Sequence, residues 1–411
     1  MKCLNKFKGY VLVVPILLFL FSHCEYQGPA SPWEETQKKA KTLAEITAIE
    51  PAEASAASEI TIIGKNFSPI PEEDAVYFDN VQCVIKSVTD TSIVVYRPNI
   101  IGDSLIIKVA IQNAINIAKF SPYKLEAVVE DYGRFADTEA ILAAALDRDE
   151  NVYLALGSMD VIRIKADGVR DANYLGTTST SLWTDMKIGS DGYLYMARGN
   201  NIVYRMPPGG GAVETYVTFP GRNTDRVKSI DFDQNGNLFC GGKKSGLMVV
   251  RPDQTTKKLG IYGDYDIITI RIYSGYVYVT ALYSGSGTAT VNTGIWRHAI
   301  NQDGSVGSQE LVLDYGASPY ANVSLNDMTF SEQGTIYLGI THPETPIVTY
   351  NPNDGSYKAL FVNLISSPVD QLVWGNSTHL YAIINRNISF SKGGKLIKVN
   401  TGELGAPYYG R

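Results

Sequence analysis

The chain predicts an all-β protein: a small β-sandwich followed by a six-bladed β-propeller. Three observations lead there. Tyr and Gly are abundant, at 26 and 37 of 411 residues, while charged residues make up only 19%, a balance that suits short strands joined by tight turns. Apolar and polar residues alternate in short runs bounded by Gly, Pro and Asp-Asn turns, the signature of half-buried strands. One strand-turn-strand phrase then returns six times in the C-terminal two thirds of the sequence, and a period of this kind marks a repeat architecture.

The N-terminus reads as a targeting segment. Lys2, Lys6 and Lys8 precede an apolar run over residues 11–21 that is too short for a comfortable membrane span. Cys24 closes the run, with His23 before it and Glu25-Tyr26-Gln27-Gly28-Pro29 after it. This resembles the lipobox of bacterial lipoproteins. The resemblance implies a signal over 1–24, lipidation at Cys24, export, and a lipid anchor to a membrane at the cell envelope or surface. Residues 25–44 carry Pro29, Pro32 and several charges with few apolar residues, and read as a tether.

The sandwich is expected over 45–126. The opening Ile46-Thr47-Ala48-Ile49-Glu50-Pro51 is followed by Ile60-Thr61-Ile62-Ile63-Gly64-Lys65-Asn66-Phe67, then Val76-Tyr77-Phe78, Ser92-Ile93-Val94-Val95-Tyr96-Arg97-Pro98 and a run from Asp103 to Val109. These phrases resemble the IPT/TIG family of immunoglobulin-like domains, which implies a spacer or interaction module without catalytic residues. Gly64 is expected to permit a bend that a Cβ would resist.

The propeller is expected over 130–411. The repeated turn-and-strand phrase ends in an aromatic residue at Tyr153, Tyr195, Phe239, Tyr278, Tyr337 and Tyr381, at spacings of 42, 44, 39, 59 and 44. Most of these fit a blade of about 40–50 residues. A further strand follows each anchor, as in Val161-Ile162-Arg163-Ile164 and Ile202-Val203-Tyr204-Arg205. The pattern resembles NHL-repeat and gluconolactonase-type propellers and implies six four-stranded blades in a closed ring, which leaves only short, protected edges. The long fourth interval marks an insertion between Tyr283 and Tyr320.

Net charge is −6 and the pI about 5.4, so no nucleic-acid partner is expected. The densest lysine cluster beyond the leader, Lys38, Lys39 and Lys41, is too small for a polyanion site. Cys83 and Cys240 fall in different domains and read as buried apolar side chains. Asp231-Phe232-Asp233-Gln234-Asn235-Gly236 resembles half a calcium loop, but Gly242 stands where the acidic twelfth ligand belongs, and a hairpin turn accounts for it. The sequence contains neither a G-x-S-x-G elbow nor an H-E-x-x-H motif, and His298, His342 and His379 show no nucleophile partner.

Counting back ten residues from the anchor aromatic gives Asp185 and Asp327. Asp370 is one residue out of step and Asp266 two. Propeller geometry brings such strand starts together around the central channel. Trp183, Asp185, Asn326, Asp327 and Asp370 are therefore the candidate ligand-binding residues, with Trp183 stacking on a sugar face and the carboxylates accepting from hydroxyls. The competing reading is that each Asp caps its own blade by accepting backbone N–H groups. The leading expectation is an envelope protein that binds carbohydrate or protein through one propeller face, with no catalytic residue and no cofactor. The alternative is a metal-dependent hydrolase or lactonase. Asn326-Asp327 resembles a step near the divalent ion of gluconolactonase-type enzymes, with Glu139 as the nearest counterpart of that family's early Glu.

Overall fold

The computed structural model describes residues 43–54, 56–112, 114–171, 176–178, 182–384, 386 and 394–410. The expected leader, Cys24 and nearly all of the tether lie outside them. No described helix is long and apolar enough to cross a membrane.

The N-terminal module is a sandwich of two sheets. One holds Glu45–Glu50, Glu59–Lys65, Ser92–Tyr96 and Ile85–Val88; the other holds Glu53–Ala54, Ile117–Leu125, Gly102–Ile111, Asp74–Phe78 and Val81–Gln82. Strand period two puts Ile60, Ile62, Ile93 and Val95 of the first sheet against Val76, Phe78, Ile107 and Val109 of the second, all fully buried. A Cβ is resisted at Gly64 as expected, through close packing rather than a left-handed backbone angle. The left-handed residue is Asn66 (φ 62°). Gly64 is needed because an added Cβ would press on the Phe67 ring and the Glu45 carbonyl. Arg97 closes the base of the sandwich. Its buried guanidinium donates to the carbonyls of Ala54 (2.9 Å) and Glu126, and burial lowers its pKa to about 10.

Six four-stranded sheets follow. Their innermost strands are Ile141–Leu146, Asp185–Ile188, Ser229–Phe232, Tyr265–Tyr273, Leu325–Phe330 and Val369–Trp374, in blades one to six. Blade six takes its outermost strand from the start of the propeller segment: Val129–Asp131 pairs antiparallel with Lys395–Asn400, Val129 opposite Val399 and Asp131 opposite Ile397. This clasp joins the two ends of the ring and leaves no open sheet to complete. An apolar cluster fills each gap between neighbouring blades; Leu142, Ala143 and Ala145 of blade one, for instance, pack on Met186, Leu194 and Met196 of blade two. The long fourth interval is not one insertion. It is spread over the long strand Tyr276–Tyr283, the link 284–292, the strand Thr293–Ala299 and the 3₁₀ turn Tyr315–Ala317.

The innermost strands run from an upper mouth, where they begin, to a lower mouth, where they end. The C-terminal segment crosses the lower mouth. The Ala406 N–H donates to the Phe330 carbonyl (3.0 Å), and the Glu332 N–H to the Leu404 carbonyl (2.8 Å). Pro407 and Tyr408 lie over a cavity lined by Lys187, Asp231, Arg271, Phe330 and Trp374.

Candidate functional site: the mouth of the propeller channel

Innermost strands of neighbouring blades do not pair with one another. Their channel-facing N–H groups would be orphaned at high cost, and side chains satisfy them. Two layers of residues line the channel. Opposite the anchor aromatics stand Ala145, Lys187, Asp231, Arg271, Thr329 and Val373. Two residues nearer the upper mouth stand Ala143, Asp185, Ser229, Thr269, Asp327 and Gln371.

These residues staple blade to blade. Asp185 Oδ2 accepts from the Ile230 N–H (3.0 Å) and the Ser229 hydroxyl (2.9 Å). Asp231 Oδ2 accepts from the Ile272 N–H (2.8 Å), and Asp327 Oδ2 from the Leu372 N–H (2.8 Å). Gln371 Oε1 accepts from the Ala144 N–H (2.9 Å), carrying the pattern from blade six to blade one. Each carboxylate also accepts the N–H of the residue after it. The capping reading thus applies in an extended form, with each acid tying its own strand to the next blade.

Two cations balance the layer. Lys187 Nζ lies 2.8 Å from Asp185 Oδ1, and Arg271 Nη2 lies 3.1 Å from Asp327 Oδ2. All four side chains are buried. Burial opposes the charge on Asp185, but Lys187 and Arg271 outweigh it and hold the carboxyl below its ordinary range. Asp231 has no ion-pair partner among the described residues. Burial pushes it up to about 6, with Lys187 and Arg271 pulling part of the way back.

The structure separates the five candidate residues. Asp185, Asn326, Asp327 and Asp370 do line one cavity at the upper mouth, with Thr184, Lys228, Gln371 and Arg386. Asn326 Nδ2 donates to the Val369 carbonyl (2.9 Å), and Asp370 Oδ2 accepts from the Arg386 N–H (2.6 Å). Trp183 is elsewhere. It is 3% exposed in the core between blades one and two, edge-on to Tyr204, with its indole N–H on Thr178 Oγ1 (3.1 Å). No face is left for stacking on a sugar. Glu139 is held by Arg170 (2.9 Å) and does not line the cavity, so the set Glu139, Asp185, Asn326 and Asp327 does not converge. Among the described residues no group of three His, Cys, Asp or Glu side chains is placed to hold a metal ion. Asp233 is absorbed by its turn, accepting from the Asn235 and Asn237 N–H groups. Cys83 and Cys240 are both buried and unpaired with each other.

Residue-level reading missed Lys228, Arg271, Gln371 and Arg386. Gln371 carried a signal: it, not Asp370, is ten residues before its anchor. Arg386 Nη1 reaches the carbonyls of Leu142 (3.0 Å) and Thr184 (3.3 Å) across the mouth. Lys228 makes no side-chain hydrogen bond or ion pair among the described residues. Burial, and next Arg386, lower its pKa.

Residues 44–126 match the family model of the IPT/TIG domain. The N-terminal module is an IPT/TIG domain. A sequence comparison of the whole chain with curated proteins finds no match. Among solved structures, a Bacteroides thetaiotaomicron protein of unknown function is 13% identical, with a TM-score of 0.49 over 87% of this chain and 98% of that one. A second B. thetaiotaomicron structure, of an auxiliary nutrient binding protein, is 12% identical, with a TM-score of 0.48 over 87% and 97%. Staphylococcus aureus virginiamycin B lyase is 11% identical, with a TM-score of 0.45 over 66% and 98%. Beyond the IPT/TIG domain, the six-bladed ring rests on the chain's own sheet topology.

Proposed function

We propose that this is an exported binding protein, anchored through lipid at Cys24, that holds a carbohydrate at the upper mouth of its propeller channel while the IPT/TIG domain acts as spacer. One observation carries the site: Thr184 of blade two, Lys228 of blade three, Asn326 of blade five, and Asp370 and Arg386 of blade six bring donors and acceptors into one cavity. The opposite mouth is covered by the chain's own C-terminal segment. A ligand rich in hydroxyls, each both donor and acceptor, matches such a lining better than an apolar ligand does. Binding rests on polar contacts rather than on Trp183.

A glycan-array screen of the protein lacking residues 1–24 tests this, since every described strand lies beyond that point. Glycan binding that Asn326→Ala weakens at least tenfold, about 1.4 kcal/mol, supports the mouth as the site. Binding that survives Asn326→Ala and Asp370→Ala unchanged places the ligand elsewhere. The anchor has a separate test. Cys24→Ser should release the protein from the membrane fraction, and a wild type that already fractionates as soluble ends that part of the proposal.

A further inference from the structure

The upper face of blades two and three gathers cations that the sequence scatters. Three connections meet there: 198–201 and 242–247, each joining the second strand of its blade to the third, and 219–228, joining blade two to blade three. Backbone bonds knit them into one surface. The Gly199 N–H donates to the Val227 carbonyl, the Val227 N–H to the Asn200 carbonyl, and the Lys228 N–H to the Gly241 carbonyl, each at 2.7 Å. These connections carry Arg198, Arg222, Arg226, Lys228, Lys243 and Lys244. Their one acid is Asp225, which is buried and already neutralised by Lys258. None of the six cations forms an ion pair among the described residues. Arg226 spends one nitrogen on the Gly199 carbonyl (3.2 Å), and Arg198 lies 5.9 Å from the centre of the Tyr204 ring. Arg222, Lys243 and Lys244 are exposed.

This concentration of positive charge stands on a chain of net charge −6, so it is local rather than a reflection of composition. It leads into the mouth cavity through Lys228. Inside the cavity, Asp185 and Asp327 are matched by Lys187 and Arg271. Lys228 and Arg386 then face Asp370, whose carboxylate is turned to the Arg386 N–H. Asp266 of blade four borders the patch and is held by the Lys244 N–H (3.1 Å) and the Ser284 hydroxyl (2.9 Å). Among the described residues this leaves the Lys228 ammonium without an ion-pair partner at the mouth. Asp327, Asp266 and Asp185 act on it only from beyond ion-pair distance, so the half-buried ammonium is costly in the free protein, and an anion bound directly to it lowers that cost.

We infer that the ligand is an acidic polysaccharide, bearing carboxylate or sulfate groups, which runs across the basic face of blades two and three and places one anionic group on Lys228 at the channel mouth. This rests on the carbohydrate reading above and adds the charge of the sugar. Hydroxyls of the same residue would meet Thr184, Asn326 and Asp370. Counter-ion release and steering by the patch would make the affinity strongly salt-dependent.

The experiment measures affinity by titration calorimetry for polygalacturonate, dextran sulfate, neutral dextran and a single-stranded oligodeoxynucleotide, at low and at physiological salt. It uses wild type, Lys228→Met and the surface double variant Lys243→Gln/Lys244→Gln. The expected result is tight binding of one or both acidic polymers, weakened at least tenfold by Lys228→Met without a fall in melting temperature. The double variant should lose less affinity and show a shallower salt dependence. A preference for polygalacturonate or for dextran sulfate assigns carboxylate or sulfate. Neutral and acidic polymers binding alike, or Lys228→Met binding as wild type does, overturns the inference and leaves the mouth reading standing. No polysaccharide binding at all ends both. An oligonucleotide that binds more tightly than either acidic polymer overturns the inference in favour of nucleic acid.

Discussion

The two ends of the channel are built from the same strands and differ in what they leave unsatisfied. At the lower end, Phe330, Trp374 and the aliphatic part of the lining are covered by the segment containing Pro407 and Tyr408. At the upper end the lining is almost wholly polar, and Lys228 lacks a partner among the described residues. Between them lies a layer in which Asp185, Asp327, Lys187, Arg271 and Gln371 satisfy one another and the backbone. The contrast separates polar residues that hold the ring together from those free to meet a ligand. Chemical type alone does not: Asp327 and Lys228 line the same cavity.

The largest expected effect comes from breaking the middle layer. Asp327→Ala removes the ion-pair partner of the buried Arg271, which keeps only the Ile270 and Leu372 carbonyls as direct acceptors, and leaves the Leu372 N–H unpaired. Removing one partner of a buried pair costs about 3–5 kcal/mol, to be read from urea unfolding. A loss below about 1 kcal/mol, with ligand affinity reduced instead, would make Asp327 a ligand contact and erase the distinction between the layer and the mouth.

A smaller, pH-dependent effect sharpens the lower end. Asp231 is raised from 3.8 to about 6 in the folded chain. Its contribution to stability is therefore fully present below pH 3.8 and is lost as pH rises through about 6. Two units at about 1.4 kcal/mol each allow up to about 3 kcal/mol. Asp231→Asn stays uncharged, so its stability relative to wild type should improve by up to that amount between pH 4 and pH 7.5. A stability difference that does not change with pH would mean that the carboxylate of Asp231 is as well solvated in the channel as in the unfolded chain.

The fold was legible because its signals are local. Period-two alternation placed Ile60, Ile62, Ile93 and Val95 in strands, and the anchor aromatics recur at the same point of each second strand. The clasp was not legible as such. Val129–Asp131 is three residues long, and nothing in so short a run says that it belongs with the last blade. The candidate site was half legible. The ten-residue count found a true structural slot at Asp185 and Asp327, but that slot faces the neighbouring blade's backbone. Trp183 precedes its strand and turns into the gap between blades, where an indole is held by packing. The cations were invisible for a geometric reason. Arg198, Arg226, Lys228 and Lys243 belong to three connections separated in sequence, and a search for runs of charge sees Lys243-Lys244 only as an isolated pair, no denser than Lys38-Lys39.

The clasp also decides how the ring meets mechanical force. Along the covalent chain, a pull from the N-terminal side enters the propeller through Val129–Asp131, its first strand. The first bonds to carry that tension are those to Lys395–Asn400, continued at either end by the Asn400 N–H on the Val128 carbonyl and the Tyr132 N–H on the Leu396 carbonyl, both 2.8 Å. The same sheet carries Asp370 and Gln371 on its innermost strand. The strand that receives the strain and the strand that lines the mouth are thus opposite edges of one blade, with only two strands between them.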